Sequence, residues 1–200
     1  MKPRIVVLMF GHKAQRGKDL SCAYLVDNYD FKRFAFADKL KNVVADLYDF
    51  SHEQMHGDLK DVIDVRYGIT PRQVLQEFGG EQRKRYPKIW AEYVFREIDQ
   101  EVALWDGLPD GTFTFCVSDF RFHNEYDVAF NWSLDTTKYD KSLYAVKMER
   151  PGVVGVTGTG DVSENDLNNF TKWNFNVNND GTIEDLQWKI TNIWQSVKNQ

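Results

Sequence analysis

The chain has 200 residues, 42% hydrophobic and 28% charged, which suits one domain with a full apolar core and excludes a disordered or fibrous chain. A net charge of −5 argues against a broad nucleic-acid-binding face and leaves room only for a local basic pocket. No apolar run approaches the ~18 residues of a membrane span and the N-terminal run is too short for a signal peptide. Cys22 and Cys116 lack metal spacing and read as free thiols in buried elements, so a soluble cytoplasmic protein is expected.

The first element is an apolar run, Ile5 to Phe10, of strand length. It meets a glycine-bounded basic loop, Gly11-His12-Lys13-Ala14-Gln15-Arg16-Gly17-Lys18-Asp19, and a helical pattern predicted over Lys18 to Asn28. Strand, loop, Gly-Lys and helix is the context that a phosphate-binding P-loop requires. A helix start offers unpaired N–H groups and partial positive charge, Gly17 lets backbone approach phosphate, and Lys18 reaches the outer phosphates. The match to G-x-x-x-x-G-K-[ST] is imperfect. Gly11 lies one residue early, His12 takes the first glycine's place, and Asp19 replaces the hydroxyl residue.

Phe31 to Phe36 alternates and predicts a short strand; Ala37-Asp38 then opens a helix with Leu40, Val43, Val44 and Leu47 on its apolar face. The polar segment Ser51 to Arg66 reads as a short helix and a mobile connection, with His52 and His56 on a solvated face rather than at a metal. Thr70-Pro71 is a helix start, and Gly79-Gly80 is expected to break that helix ahead of the basic cluster Arg83-Lys84-Arg85. An amphipathic helix is expected from Ile89 to Trp105, with a loop over Asp106 to Gly111.

Thr112 to Ser118 predicts a core strand followed by Asp119-Phe120-Arg121-Phe122-His123-Asn124-Glu125 at its C-terminal end, where ligands bind in open α/β sheets. A short helix is expected from Asn124 and a core strand over Leu143 to Met148. A flexible connection follows from Gly152 to Gly160, and a last strand over Trp173 to Val177. The final helix starts at Thr182 after the turn Asn178-Asn179-Asp180-Gly181. Strands alternating with helices imply a parallel sheet covered by helices on both faces.

Five segments then carry a resemblance: Lys13 to Asp19, Phe36 to Lys41, Ile69 to Gly79, Asp119 to Glu125, and Val177 to Leu186. Taken in order they resemble the bacteriophage deoxynucleoside monophosphate kinases, members of the P-loop nucleoside monophosphate kinase-like family. The Gly-Lys-Asp ending, shared with animal-type phosphomevalonate kinases, then marks a subgroup. Leu20 departs from the hydroxyl residue often found after that Asp, and Arg16 from the small residue usual before Gly17. The resemblance implies a P-loop kinase fold over 1–200, with a helical substrate-binding or lid region at about 50–105. It also implies an ATP-dependent enzyme that forms deoxynucleoside diphosphates with Mg²⁺ in the host cytoplasm, as a monomer or homodimer acting on small nucleotides rather than nucleic acid.

Site expectations follow. Phosphoryl transfer needs positioning and charge neutralisation rather than covalent help. Lys18, Arg121, Asp119 and Arg83 are the expected catalytic groups. Gly11, Lys13, Arg16, Gly17, Lys18, Asp19 and Leu20 are expected to hold ATP phosphates. By resemblance Asn179 and Gly181 lie near the adenine, and Asp19 is the expected metal contact, with Ser21 or water as alternatives. Asp38, Lys41, Arg72, Gln76, Trp90 and Arg150 are expected to bind the acceptor. Within this set Gln76 would read a base edge and Trp90 or Phe78 would stack on it, while Asp38 also suits a helix N-cap. The rival readings are a kinase for another small phosphorylated acceptor such as phosphomevalonate, a kinase for a modified base in phage DNA, and a nucleotide-binding module without turnover.

Overall fold

The computed structural model describes residues 2–104, 111–152 and 162–198. Strand β1 (Arg4–Gly11) is the axis of the fold. Ile5, Val7 and Met9 point to one face and Val6, Leu8 and Phe10 to the other, all fully buried. A strand apolar on both faces must be covered twice, which is the situation of a parallel sheet with helices above and below. The remaining strands are β2 (Lys32–Phe34), β3 (Thr112–Phe120), β4 (Asp140–Glu149) and β5 (Phe175–Asn178). Their spatial order is β2-β3-β1-β4-β5, and every pairing is parallel.

On one face α1 (Lys18–Tyr29) and α7 (Ile183–Lys198) pack with Leu8, Cys22, Leu25, Ile190 and Trp194 in their shared core. The other face carries α2 (Phe36–Tyr48), α5 (Ile89–Leu104) and α6 (His123–Leu134) around Val7, Val44, Ile98, Val117 and Ala129. Cys22 and Cys116 are buried free thiols. Among the described residues no helix is long and apolar enough to cross a membrane.

Four local expectations are corrected. Phe36 opens α2 instead of closing the second strand. The helix from Thr70 does not stop at Gly79-Gly80: α4 runs from Pro71 to Arg85. Gly79 serves a close approach of helices, because a Cβ there would stand 2.7 Å from Leu40 Cδ2 of α2. The helix after Asp119 is not short, since α6 holds 12 residues and buries Val128 and Ala129. The last strand begins at Phe175; Trp173 instead packs its ring against Phe170 and Phe120.

The polar segment after α2 is built rather than featureless. It forms α3 (His52–His56), a 3₁₀ turn (Asp58–Asp61), and a turn closed by an Asp64–Ile69 bridge. Asp64 holds it together, accepting hydrogen bonds from Gln54 and from both the backbone and the guanidinium of Arg66. The expected loops over Asp106 to Gly111 and Gly152 to Gly160, and the helix end expected at Trp105, lie wholly or mostly outside the described residues.

Candidate active site

The site forms at the C-terminal edge of β1 and β3. The β1–α1 loop bends through left-handed backbone at three residues, His12 (φ 89), Gln15 (φ 57) and Gly17 (φ 94). For a non-glycine such a conformation costs about 1–3 kcal/mol and persists where the surroundings enforce it. His12 therefore takes the backbone conformation as well as the place of the first P-loop glycine. Gly17 is needed twice, for its φ and because a Cβ would stand 2.7 Å from Asn179 Nδ2. Gly11 belongs to β1 rather than to the phosphate loop. A Cβ there would lie 2.5 Å from Phe120 Cδ1 and 2.8 Å from the Trp173 ring.

Gly17 caps α1 without a side chain, so the first N–H groups of the helix face outward. Lys18 opens the helix and is only 4% exposed. Its ammonium folds back onto the carbonyls of His12, at 3.1 Å, and Lys13. Burial, with Arg121 nearby, brings its pKa down to about 8. The Asp19 side chain is 81% exposed in the first turn, 3.9 Å from Arg33. Ser21, an alternative metal contact, is buried with its hydroxyl donating to Gly17 O at 2.9 Å. Leu20 lies exposed beside it and contributes backbone only.

The loop itself already holds an anion. Glu164 Oε2 accepts the Ala14 N–H at 3.1 Å, and Glu164 Oε1 pairs with Arg121 Nη1. These side chains are 16% and 29% exposed, so the pair is half-enclosed. One carboxylate thus spans a P-loop amide and the guanidinium at the end of β3.

Asp119 does not hold Arg121. Its two oxygens accept the N–H groups of Phe36, at 2.7 Å, and Ala37, at 2.9 Å. It caps α2 from another strand, because Ala35 at the N-cap has no side chain that can. Burial raises its pKa, and those two N–H groups pull it back. Asp38 is not the cap; it pairs with Arg33 at 2.9 Å.

A second group of cations faces the site from the segments between α2 and β3. Lys60, on the 3₁₀ turn, has its pKa brought down to about 8 by burial, then by Lys41 and Arg72, with Arg121 also acting on it. His56 is lowered by burial, Lys41, His52 and Lys60 in turn. Arg72 forms a forked pair with Asp61, Nη2 to Oδ2 at 3.0 Å. Arg72, Gln76 and Arg83 recur at helical spacing along α4. Arg83 lies in its last turn, its guanidinium 4.0 Å above the Phe122 ring and 3.8 Å from Glu125.

Four site residues fall elsewhere than expected. Trp90 is 6% exposed in the core and donates to Gly79 O at 3.4 Å, so its face is not free for a base. With Phe78 and Tyr93 it lines a cavity of about 390 Å³ whose walls include none of Lys18, Arg83 or Arg121. Arg150 follows β4, on the opposite side of β1 from β3, and its carbonyl takes the Arg16 guanidinium. It stands with the loop and not with the Lys41, Lys60 and Arg72 group. Asn179 lies beneath the loop, 8% exposed, donating to Arg16 O at 3.3 Å, and so braces the loop's backbone. Gly181 sits in the turn before α7, where a Cβ would meet Asp185.

Glu164, Glu125, Lys60 and Arg33 are missing from the sequence reading. Glu125 had a signal, since a Glu three residues after a helix start marks a capping box. The others had none, because only long-range folding brings Glu164 to the loop amide of Ala14, Arg33 to Asp19 and Lys60 into the field of Arg121.

No family model matches the chain. It is 28% identical over 195 residues to a protein of Acanthamoeba polyphaga mimivirus named as a proposed deoxynucleotide monophosphate kinase, covering 93% of this chain and 94% of that one. Among solved structures it superposes on a proposed kinase from Chloroflexus aurantiacus with a TM-score of 0.54, 12% identity and 98% of both chains covered. The fold is P-loop kinase-like: a parallel five-stranded sheet flanked by helices on both faces. A dephospho-CoA kinase from Campylobacter jejuni aligns at TM-score 0.49 and 14% identity over 96% of each chain.

The residues fit a nucleotide phosphate and a magnesium ion. A carboxylate already rests on a loop amide, and the buried Lys18 ammonium turns onto the loop carbonyls of His12 and Lys13. Among the described residues no cluster of three or more His, Cys, Asp or Glu could hold a metal. Asp19, exposed in the first turn of α1, is the carboxylate that would hold a magnesium ion, the other positions being left to nucleotide oxygens and water.

Proposed function

We propose that the protein is an ATP-dependent deoxynucleoside monophosphate kinase, its single domain carrying a helical acceptor-binding and lid region over about 50–105. The observation that carries this reading is the Glu164 bridge. An anion that touches the Ala14 N–H also touches Arg121. A phosphoryl group leaving the loop is therefore within reach of the β3-end arginine. Lys60 feels the positive charges of Lys41, Arg72 and Arg121, a concentration of cations that suits an acceptor phosphate.

The roles follow from chemistry. The loop N–H groups and Lys18 hold the outer phosphates of the donor. Asp19 is the protein's contact to magnesium, which when bound neutralises the donor's phosphate oxygens. Arg121 and Arg83 steady charge on the transferred group, and Lys41, Lys60 and Arg72 orient the acceptor. Gln76, on the same face of α4, is the candidate reader of the base. Closure of the helical region would exclude water as a competing acceptor. The relative's name supports a deoxynucleotide as that acceptor. The acidic net charge favours a small nucleotide over duplex DNA.

ADP release measured with ATP and each ribo- and deoxynucleoside monophosphate tests the reading. Turnover with one or more deoxynucleoside monophosphates supports it. ATP binding without transfer to any of them sinks it, and transfer to phosphomevalonate alone would replace it.

A further inference from the structure

Glu125 is the most enclosed carboxylate beside the site, its side chain 4% exposed in the first turn of α6. Its Oε2 accepts two backbone N–H groups, from Arg121 at 2.7 Å and from Phe122 at 3.0 Å. Its Oε1 faces Arg83 Nη2 of α4 at 3.8 Å, while the Arg83 guanidinium lies on the Phe122 ring.

A capping role accounts for the Phe122 contact alone. It does not account for the hold on Arg121, nor for the second oxygen turned to a guanidinium from another helix. Nor does helix capping call for so deep a burial, because a capping glutamate works at the surface. Burial, with Asp119 of β3 beside it, pushes the Glu125 carboxyl up to about 8; the Arg121 and Phe122 N–H groups and Arg83 draw it back. An acid kept in such a place at that electrostatic cost has a partner to hold.

Arg83 is a long side chain on the last turn of a helix and samples many rotamers when free. Fixing it before the ligand arrives removes the loss of that freedom from the binding step. Fixing the Arg121 backbone at the same time sets the direction from which its fork leaves the strand.

We propose that Glu125 is a positioning residue that brings Arg83 and Arg121 to bear on one acceptor phosphate. The inference rests on the phosphoryl-transfer reading above. Glu125 touches neither substrate: it acts through the two arginines.

Glu125→Gln is the informative variant, because its carbonyl oxygen still accepts both backbone N–H groups while the charge facing Arg83 is gone. Glu125→Ala would strip the cap as well. At pH 9, where the wild-type carboxylate is ionised, E125Q should raise the KM for the deoxynucleoside monophosphate about tenfold, with the KM for ATP within about twofold of wild type and an unchanged melting temperature; at pH 7, where the wild-type carboxyl is mostly protonated, the gap should shrink to about twofold or less. Arg83→Gln should give a similar loss, and the double variant should be no worse than either, since both remove one interaction. Independently of turnover, ¹³C NMR titration of Glu125 should move upward in R83Q, because the guanidinium favours the ionised carboxylate.

Additive losses, an unmoved Glu125 titration in R83Q, or an E125Q that melts early and loses ATP and acceptor affinity equally would each overturn the inference while an active wild type keeps the kinase reading intact. A wild type that transfers phosphate to no nucleoside monophosphate overturns that reading, and this inference falls with it.

Discussion

Glu164 accepts a hydrogen bond from the backbone N–H of Ala14 at 3.1 Å. Its other oxygen meets Arg121. The contact puts a protein carboxylate on two groups that the proposed reaction needs for phosphate. Nucleotide must therefore displace Glu164 to bind. Glu164→Ala should tighten ATP binding about threefold to tenfold, the equivalent of roughly 1 kcal/mol for one partly exposed charge-assisted contact. Isothermal titration of ATP into wild type and variant checks it. Weaker binding in the variant would mean that Glu164 supports the loop rather than competing for it.

Lys18 gives a pH dependence with a defined sign. Its ammonium is held at about 8 by burial, so the ligand-free protein loses that charge as pH rises through 8. Bound phosphates favour the charged form and raise its pKa. ATP affinity should be flat below pH 7 and about tenfold weaker at pH 9. Near pH 8 binding should take up about half a proton, measurable as a buffer-dependent heat. Lys18→Ala should lower kcat by about a hundredfold or more and abolish the proton uptake.

Asp119 makes a prediction about stability rather than catalysis. Its carboxylate satisfies two N–H groups at the start of α2 that nothing else reaches. Asp119→Ala should cost about 1–3 kcal/mol in urea unfolding, between the loss of a cap and the orphaning of two enclosed donors. Asp119→Asn keeps one acceptor and should fall between. An Asp119→Ala protein as stable as wild type would show that water replaces the cap.

The division between what was readable and what was not follows contact order. The strand Ile5 to Phe10 and the loop after it were legible because strand, glycine and lysine are neighbours in sequence. The sheet was legible because its strands alternate with helices. The fate of Asp119 was not: its partners, Phe36 and Ala37, lie on an element far away in sequence, and a carboxylate two residues from an arginine looks like that arginine's partner. Gly79 misled because glycine breaks helices in isolation but also lets two helices touch, and only Leu40 distinguishes the cases. Trp90 looked like a stacking surface because an amphipathic helix does not say which of its aromatic residues is core. Lys60 carries no local signal at all.

Lys60 therefore offers the sharpest test of the acceptor side. Burial and the nearby Lys41 and Arg72 hold its pKa at about 8, so in the ligand-free enzyme it loses charge over the same range as Lys18. Saturating ATP separates the two, because the bound polyphosphate keeps Lys18 charged. Under that condition, and in an E125Q background that removes the Glu125 titration over the same range, the KM for a deoxynucleoside monophosphate should still rise between pH 7 and pH 9, by up to about tenfold. Lys60→Arg retains its charge throughout and should flatten the profile. Lys60→Ala should raise that KM at pH 7, leave ATP binding within about twofold, and also flatten it. A profile unchanged in both variants would place the acceptor's phosphate away from the 3₁₀ turn, on Arg121 and Arg83 alone.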